Sequence, residues 1–331
     1  MTFPVFRSAT PSDAGGSGPR FLSPPPEVRI TNAFARAFDN VVATARTCYS
    51  GSGIVRDEQV LGDPQAPPQA RVERERRRDS LARDLYQAGH HTTLQHAHFQ
   101  FALSNVSRQF LWSFLHSHPF YNSEQVSQRY VTVKPGNYAV PPLEGRALRV
   151  YEETVALQQQ AYEDLCRLLQ GPAAAVYYAR YPARRHYPKK YEKEVQKKAQ
   201  EVARYVLPIA TFAYLYHTIS GLTLLRYYRV CRGPDAPLEQ RLVVGLMVQE
   251  LLAREPAYAA ILEEPIAEEE LAEHRALLAH GARDDGGRKA FLDDFDRQLG
   301  GRVSLLVDYP AKHEEPLAQA VREVLGLTRA R

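Results

Sequence analysis

Apolar positions along the chain change period several times, and each change marks an element. Between residues 32 and 50, Phe34, Phe38 and Val41 or Val42 recur at helical spacing, predicting a helix that runs into ARTCYS (45–50). GDPQAPPQA (62–70) is a loop by its prolines. VERERRRDSLARDLYQAG (72–89) reads as a second helix, with Glu and Arg at supportive spacings and Gly89 in the C-terminal capping position. HAHFQFALS (96–104) alternates Phe99, Phe101 and Leu103 against His98, Gln100 and Ala102, the period of two of a half-buried strand. Ser107 is placed to cap a helix striped by Phe110, Leu111, Phe114 and Leu115, and Pro119 stops it just after His118. SQRYVTV (127–133) alternates again before a Pro135–Gly136 turn. Long helical patterns follow over 147–170 and about 189–207, and a third runs through Arg229, with Pro208 dividing or kinking them. LEQRLVVGLMVQELLARE (238–255) is an amphipathic helix closed by Pro256. Beyond it, acidic helical segments alternate with one strand-like run, RVSLLV (302–307), and no internal repeat is visible.

Composition narrows the class. A chain of 331 residues that is 44% apolar buries a sizeable core, and at roughly 150 residues per domain it forms one elaborated domain or two. Residues 1–29, rich in Pro, Gly and Ser up to about Glu27, are expected to form an irregular tail. No run approaches the roughly 18 to 20 apolar residues that span a bilayer, and the N-terminus lacks a charged segment followed by an apolar one, so a cytoplasmic protein without a membrane partner is expected. Cys48, Cys166 and Cys231 are odd in number and far apart, which argues against disulfides and thiolate zinc. The net charge of +4 is small, and the basic runs 71–78 and 184–198 interleave acids as solvated helices do, so nucleic acid is not expected as a partner.

Three features carry candidate chemistry. Arg226 and Arg229 are three residues apart and share a helix face, and Arg204 lies on the preceding helical segment. Three converging guanidiniums would suit a phosphate, although helical arginines more often face water or pair with acids. Four of the eleven histidines lie in GHHTTLQHAH (89–98) and two in HSH (116–118), but no HExxH spacing is present and carboxylates are scarce nearby, so no metal site is expected. Ser127 followed by Arg129 has no nucleophile elbow around it and reads as a hydrogen-bonding serine. Cys48 is expected to be a small buried residue.

Taken in order, ARTCYS (45–50), GHHTTLQHAHFQFAL (89–103), SRQFLWSFLHSHPFYNSEQVSQRYV (107–131), ARYVLP (203–208) and LLRYYR (224–229) resemble the flavin-dependent thymidylate synthases. That family carries an AR-x-x-Y segment, a GHxT-xx-xH segment leading into a strand, and S-R-x-x-x-x-Q-x-x-R-H-R-x7-S-x-R-Y. The resemblance spans about residues 30 to 262. It points to an α+β core, a mixed or antiparallel sheet packed by long helices, and residues 263–331, outside it, read from their own helical pattern as a mainly helical C-terminal extension. It also implies a homotetramer with active sites built from several subunits.

The departures are specific. His116, Ser117 and His118 stand where the family has R-H-R, the spacing to Ser127 is one residue longer, and Ser113 replaces the glutamine three positions earlier. Ser220, Gly221 and Leu222 stand where N-x-R belongs. The closing arginine of that segment falls near Cys231, leaving Arg229 or Arg232 to fill its role. In the family the rewritten positions mainly hold the flavin, and the positions that Ser127, Arg129, Arg204 and Arg229 match hold the nucleotide.

The activity the resemblance implies is reductive methylation of dUMP to dTMP, with the carbon from methylenetetrahydrofolate and the hydride from FAD reduced by NADPH. By the same resemblance Ser127 and Arg129 hold the nucleotide, with Arg204 and Arg229 on its phosphate or base and Glu124 in the same pocket. His90, Thr92 and Gln95 match positions near the flavin, and His116 and His118 stand in for its arginines, offering one N–H and no fixed charge when neutral. Two alternatives stay open: a divergent paralogue that modifies another pyrimidine nucleotide, and a nucleotide-binding protein without turnover.

Overall fold

The computed structural model describes residues 21–116, 121–233, 236–267, 270–272, 285–306 and 314–326. Four strands, β1 (Glu27–Ala33), β2 (His98–Ser107), β3 (Tyr121–Gln125) and β4 (Phe212–Ser220), form one antiparallel sheet in the order β1-β2-β4-β3. Helices α1 (Ala37–Cys48), α2 (Glu58–Leu61), α3 (Pro68–Gln87) and α4 (Arg108–His116) precede a helical arm of α5 (Gly145–Leu168), α6 (Gln170–Arg180) and α7 (Pro188–Ala203). Helices α8 (Gly221–Val230) and α9 (Leu238–Arg254) complete the first unit. The protein is thus α+β, with a wholly antiparallel sheet.

One face of the sheet is dry. Phe99, Phe101, Leu103, Leu215 and Ile219 point into a core filled from the helices by Phe38, Phe110, Phe114, Leu222, Val244 and Met247. Ser107 caps α4, accepting from the Phe110 amide at 3.0 Å, and Ser220 caps α8, accepting from the Thr223 amide at 3.1 Å. The other face is open, and Tyr214 and Tyr216 stand on it 59% and 56% exposed. A bulge breaks the β2 register between Leu103 and Val106, where Asn105 takes a positive φ of 54° and donates from Nδ2 to the Pro25 carbonyl at 3.2 Å.

The chain divides into two compact units, Met1–Leu271 and Ala272–Arg331. The described elements of the second are α10 (Asp285–Leu299) and α11 (Glu314–Val324).

Several elements differ from the sequence pattern, each for a physical reason. Strand β1 lies where a tail and then a helix were expected; it is an edge strand with polar outward positions, so only Val28 and Ile30 betray it. Strand β4 lies where a helix was expected, because its outward positions are tyrosines and hide the alternation of Ala213, Leu215, His217 and Ile219. SQRYVTV is not a strand: the Tyr130 and Val131 amides both donate back to the Ser127 carbonyl, at 3.2 and 3.0 Å, which makes a turn. The strand is instead the preceding polar YNSEQ, at the sheet edge. Residues 302–306 form no strand, and Val307 lies outside the described residues. Phe34 is exposed, because α1 starts only at Ala37, and so is Cys48, on the last turn of that helix.

Candidate functional site

The residues expected at one site fall at the two ends of β4, about 26 Å apart for a nine-residue strand. At the Phe212 end, Arg108 opens α4 with its amide bonded to the Thr211 carbonyl at 3.0 Å. Its Nη1 donates to Gln125 Oε1 at 2.6 Å and its Nη2 to the Val126 carbonyl at 2.5 Å, while its Nε is buried without a partner among the described residues. Burial, reinforced by the nearby Arg204 guanidinium, pulls the Arg108 pKa below its ordinary value. Two like charges are thus held close together where one is poorly hydrated, an arrangement that a bound anion relieves.

The 127–133 segment covers this end. Ser127 Oγ accepts from the Arg129 amide at 3.2 Å, and Gln200 of α7 pins the segment by donating to the Gln128 carbonyl at 3.1 Å and accepting from Thr132 Oγ1 at 3.2 Å. Arg129 pairs with Glu201, which Lys198 also holds at 3.0 Å. The Lys198 ammonium foremost, and then Arg129, keep Glu201 below the usual carboxylate range against the opposing effect of burial. A cavity of about 130 Å³ lies beneath, lined in part by Asn105, Arg108, Ser127, Gln128, Asn137 and Tyr214. Arg204 does not line it; its Nε donates to the Glu201 carbonyl at 3.1 Å and its guanidinium lies 5.4 Å from the Tyr205 ring centre. Glu124 is exposed on β3 opposite Tyr216 and does not line the cavity.

At the Ser220 end, Gln95 Oε1 accepts from Ser220 Oγ at 2.5 Å and Thr223 Oγ1 at 2.8 Å, tying the 90–95 segment to the start of α8. His91 Nε2 donates to the Tyr86 carbonyl at 2.8 Å and its Nδ1 contacts Arg226. Arg229 pairs with Glu263 at 2.6 Å. Thr92 is exposed, and His90 packs edge-on against Tyr49 at 6.2 Å with its Nδ1 buried and without a partner among the described residues. Beside them a cleft of about 540 Å³ is lined by Arg46, Tyr49, Ser50, Ser52, Val55 and Gln59, among others.

The structure therefore brings Ser127, Arg129 and Arg204 together, and separately His90, Gln95 and Arg226. It does not converge Arg204 with Arg226 and Arg229 within one chain. His116 is exposed, with Nδ1 on the Trp112 carbonyl at 2.6 Å and its ring 4.2 Å from the Trp112 ring; His118 lies outside the described residues. Arg108 and Gln125 were missed as candidates, and the signal for the first was present: it is the arginine of the S-R pair that opens the matched segment. Cys231, where the closing arginine would fall, is buried in the core. Among the described residues no group of three or more metal-ligating side chains gathers, and no helix is long and apolar enough to cross a membrane.

An antiparallel sheet with a loop-covered cavity at one strand end and a histidine-bearing segment at the other defines an α+β protein. The family model described as "Thymidylate synthase complementing protein" matches residues 29–257, and the chain belongs to that family. It is 27% identical over 214 residues to the flavin-dependent thymidylate synthase of Clostridium tetani (strain Massachusetts / E88), covering 64% of this chain and 76% of that protein. Among solved structures it is similar to the UMP/dUMP methylase PolB from Streptomyces cacaoi bound with 5-Br dUMP, at 18% identity and a TM-score of 0.49, covering 72% of this chain and 96% of the other. The same protein bound with 5-Br UMP gives 16% identity and a TM-score of 0.47, with coverages of 72% and 94%.

Proposed function

We propose that the protein catalyses reductive methylation of dUMP to dTMP, taking the carbon from methylenetetrahydrofolate and the hydride from FAD reduced by NADPH. The observation that carries this reading is Arg108 in the wall of the cavity under the Ser127 segment, with the Arg204 guanidinium near enough to lower its pKa, in a chain that belongs to this family. Two guanidiniums, one of them partly desolvated, suit a nucleotide phosphate, and Ser127 and Gln128 in the same cavity wall offer polar contacts to its sugar or base.

The cavity of about 130 Å³ is too small for a whole nucleotide, since small-molecule sites commonly run from roughly 300 Å³ upward. A second chain that completes it accounts for this, and for the separation of Arg229 and the His90 segment from Ser127. We therefore read the active form as a cytoplasmic homotetramer with composite sites. Residues 30–262 carry the catalytic fold and 263–331 the extension.

For the flavin, His90 has a buried nitrogen free of described partners and an adjacent cleft, which fits a cofactor-binding role. Gln95 has its carbonyl oxygen occupied by Ser220 and Thr223 and would act through its amide nitrogen, with Thr92 at the surface beside it. FAD bound there supplies the hydride; the protein's part is to orient the uracil and balance the charge of the phosphate. His116, engaged with its own helix at Trp112, would have to leave that contact to serve the cofactor from Nδ1.

The test is product analysis. The purified protein, given dUMP, methylenetetrahydrofolate, FAD and NADPH, is expected to form dTMP and to support growth of a thymidine-requiring bacterium. Methylation of UMP in preference to dUMP would move the assignment to the paralogue reading, and nucleotide binding without product to the non-catalytic one.

A further inference from the structure

The most basic stretch of the chain has no part in the site described above beyond the contact of Lys198 with Glu201. From Arg180 to Lys198 there are eight Lys and Arg against two Glu, a net charge of +6 in a chain whose total is +4. Within this stretch Lys189, Lys193 and Lys197 recur every four residues on α7. All are exposed, and each step along the row rises about 6 Å on the helix axis.

The row has a direction. Lys197 Nζ lies 5.7 Å from the Tyr130 ring centre, and Tyr130 follows Arg129 in the segment that covers the candidate nucleotide cavity. Gln200 and Glu201, one turn further along α7, hold that same segment through Gln128, Thr132 and Arg129. The lysines thus form a track leading away from the site on the helix to which its cover is fastened.

Such a track suits a ligand with a compact head at the site and a chain of carboxylates behind it. A polynucleotide fits less well. At the turn between α6 and α7 the Arg184 guanidinium occupies three of the rings on which its bases would stack, lying 4.4 Å from the Tyr181 ring centre, 4.9 Å from that of Tyr191 and 5.7 Å from that of Tyr177. We propose that the Lys189–Lys193–Lys197 row binds the γ-linked glutamate tail of a reduced folate whose one-carbon end reaches the Ser127 site. The proposal rests on the folate-dependent reading above.

Two measurements separate the proposal from that reading. Fluorescence anisotropy of labelled tetra-γ-glutamate on the full-length protein is expected to show saturable binding at low salt, weakened about tenfold in K189Q/K193Q/K197Q and by several-fold salt addition. No binding, or binding unchanged in the triple variant, would overturn the track, and lysine-dependent binding of oligothymidylate tighter than that of the peptide would give the surface to nucleic acid instead. In turnover, the KM for the tetraglutamyl donor should lie about tenfold below that for the monoglutamyl donor, and K189Q/K193Q should bring the two together. Equal values in the parent protein would also overturn the proposal, whereas no turnover with either donor, with lysine-dependent peptide binding intact, would overturn the folate-dependent activity alone.

Discussion

Glu239 of α9 accepts both hydrogen bonds that Ser107 can give: the Ser107 amide donates to Oε1 at 2.6 Å, and the Ser107 hydroxyl donates to Oε2. The same hydroxyl oxygen caps α4, so a carboxylate only 6% exposed fixes the joint at which β2 becomes the helix that opens with Arg108.

Removing that acceptor leaves two buried donors unpaired, at about 1–3 kcal/mol each, so E239A is expected to lose about 2–6 kcal/mol in urea unfolding and E239Q less. The pH dependence has a definite sign. Burial raises the Glu239 pKa, against the two bonds from Ser107 that lower it. The folded state therefore holds this proton more tightly than the unfolded chain does. Its contribution is fully present below the unfolded carboxylate value of about 4.3 and is lost as pH rises through the raised value. E239Q has no proton to lose there, so its deficit relative to the parent should be largest near that lower limit and shrink toward neutrality. A deficit that grows with pH would mean that the carboxylate is stabilised as an anion.

Arg108 gives the prediction on ligand binding. If it meets the nucleotide phosphate, R108A loses a charge-assisted contact of roughly 1.5–3 kcal/mol and binds dUMP about ten- to a hundredfold more weakly, with little change for deoxyuridine. Titration calorimetry with both ligands measures this. Equal losses for nucleoside and nucleotide would place Arg108 in a structural role only, holding Gln125 and Val126.

The sequence made the site legible only in part. Phe99, Phe101 and Leu103 announced β2 because its outward positions are small or polar, and Ser107 announced the helix after it. β4 was hidden by Tyr214 and Tyr216, whose rings are apolar in composition but stand in solvent. Motif order named Ser127, Arg129 and Arg204, of which Arg129 and Arg204 both meet Glu201 and Ser127 bonds the Arg129 amide. It gave no sign that Arg229 lies with Glu263 beyond the far end of the sheet, since spacing along a chain says nothing about which end of a strand a later helix departs from. The composition that disfavoured nucleic acid also concealed the α7 lysine row, because its two interleaved glutamates average out a charge that the helix sorts by face.

Gly221 tests the packing at the start of α8. A Cβ there would overlap the Tyr258 ring and lie 2.6 Å from its hydroxyl oxygen, and Tyr258 is fully buried, edge-on to Phe38 at 5.0 Å and to Phe99 at 5.5 Å. The ring has nowhere to move, so G221A is expected to destabilise by about 1–3 kcal/mol or more. In a Y258A background the same substitution should cost far less, and a double-mutant cycle reads the difference. An unchanged cost would trace the effect to the backbone of α8 rather than to the ring.

The three cysteines differ enough in environment to report on the fold directly. Cys48 is exposed at the end of α1, Cys166 is half-buried on α5, and Cys231 is buried after α8. Burial pushes the Cys231 thiol up to about 11 against the lowering pull of Arg232 and Arg241, and holds Cys166 above its ordinary value as well. At pH 8 only about one Cys231 in a thousand is thiolate, the form that reacts, and the reagent must also reach it. A disulfide reagent added to the native protein is therefore expected to titrate one thiol per chain quickly, abolished in C48S, with Cys166 slower and Cys231 released only by denaturant. Fast native labelling located by mass spectrometry at Cys231 would mean that the α8–α9 connection opens readily.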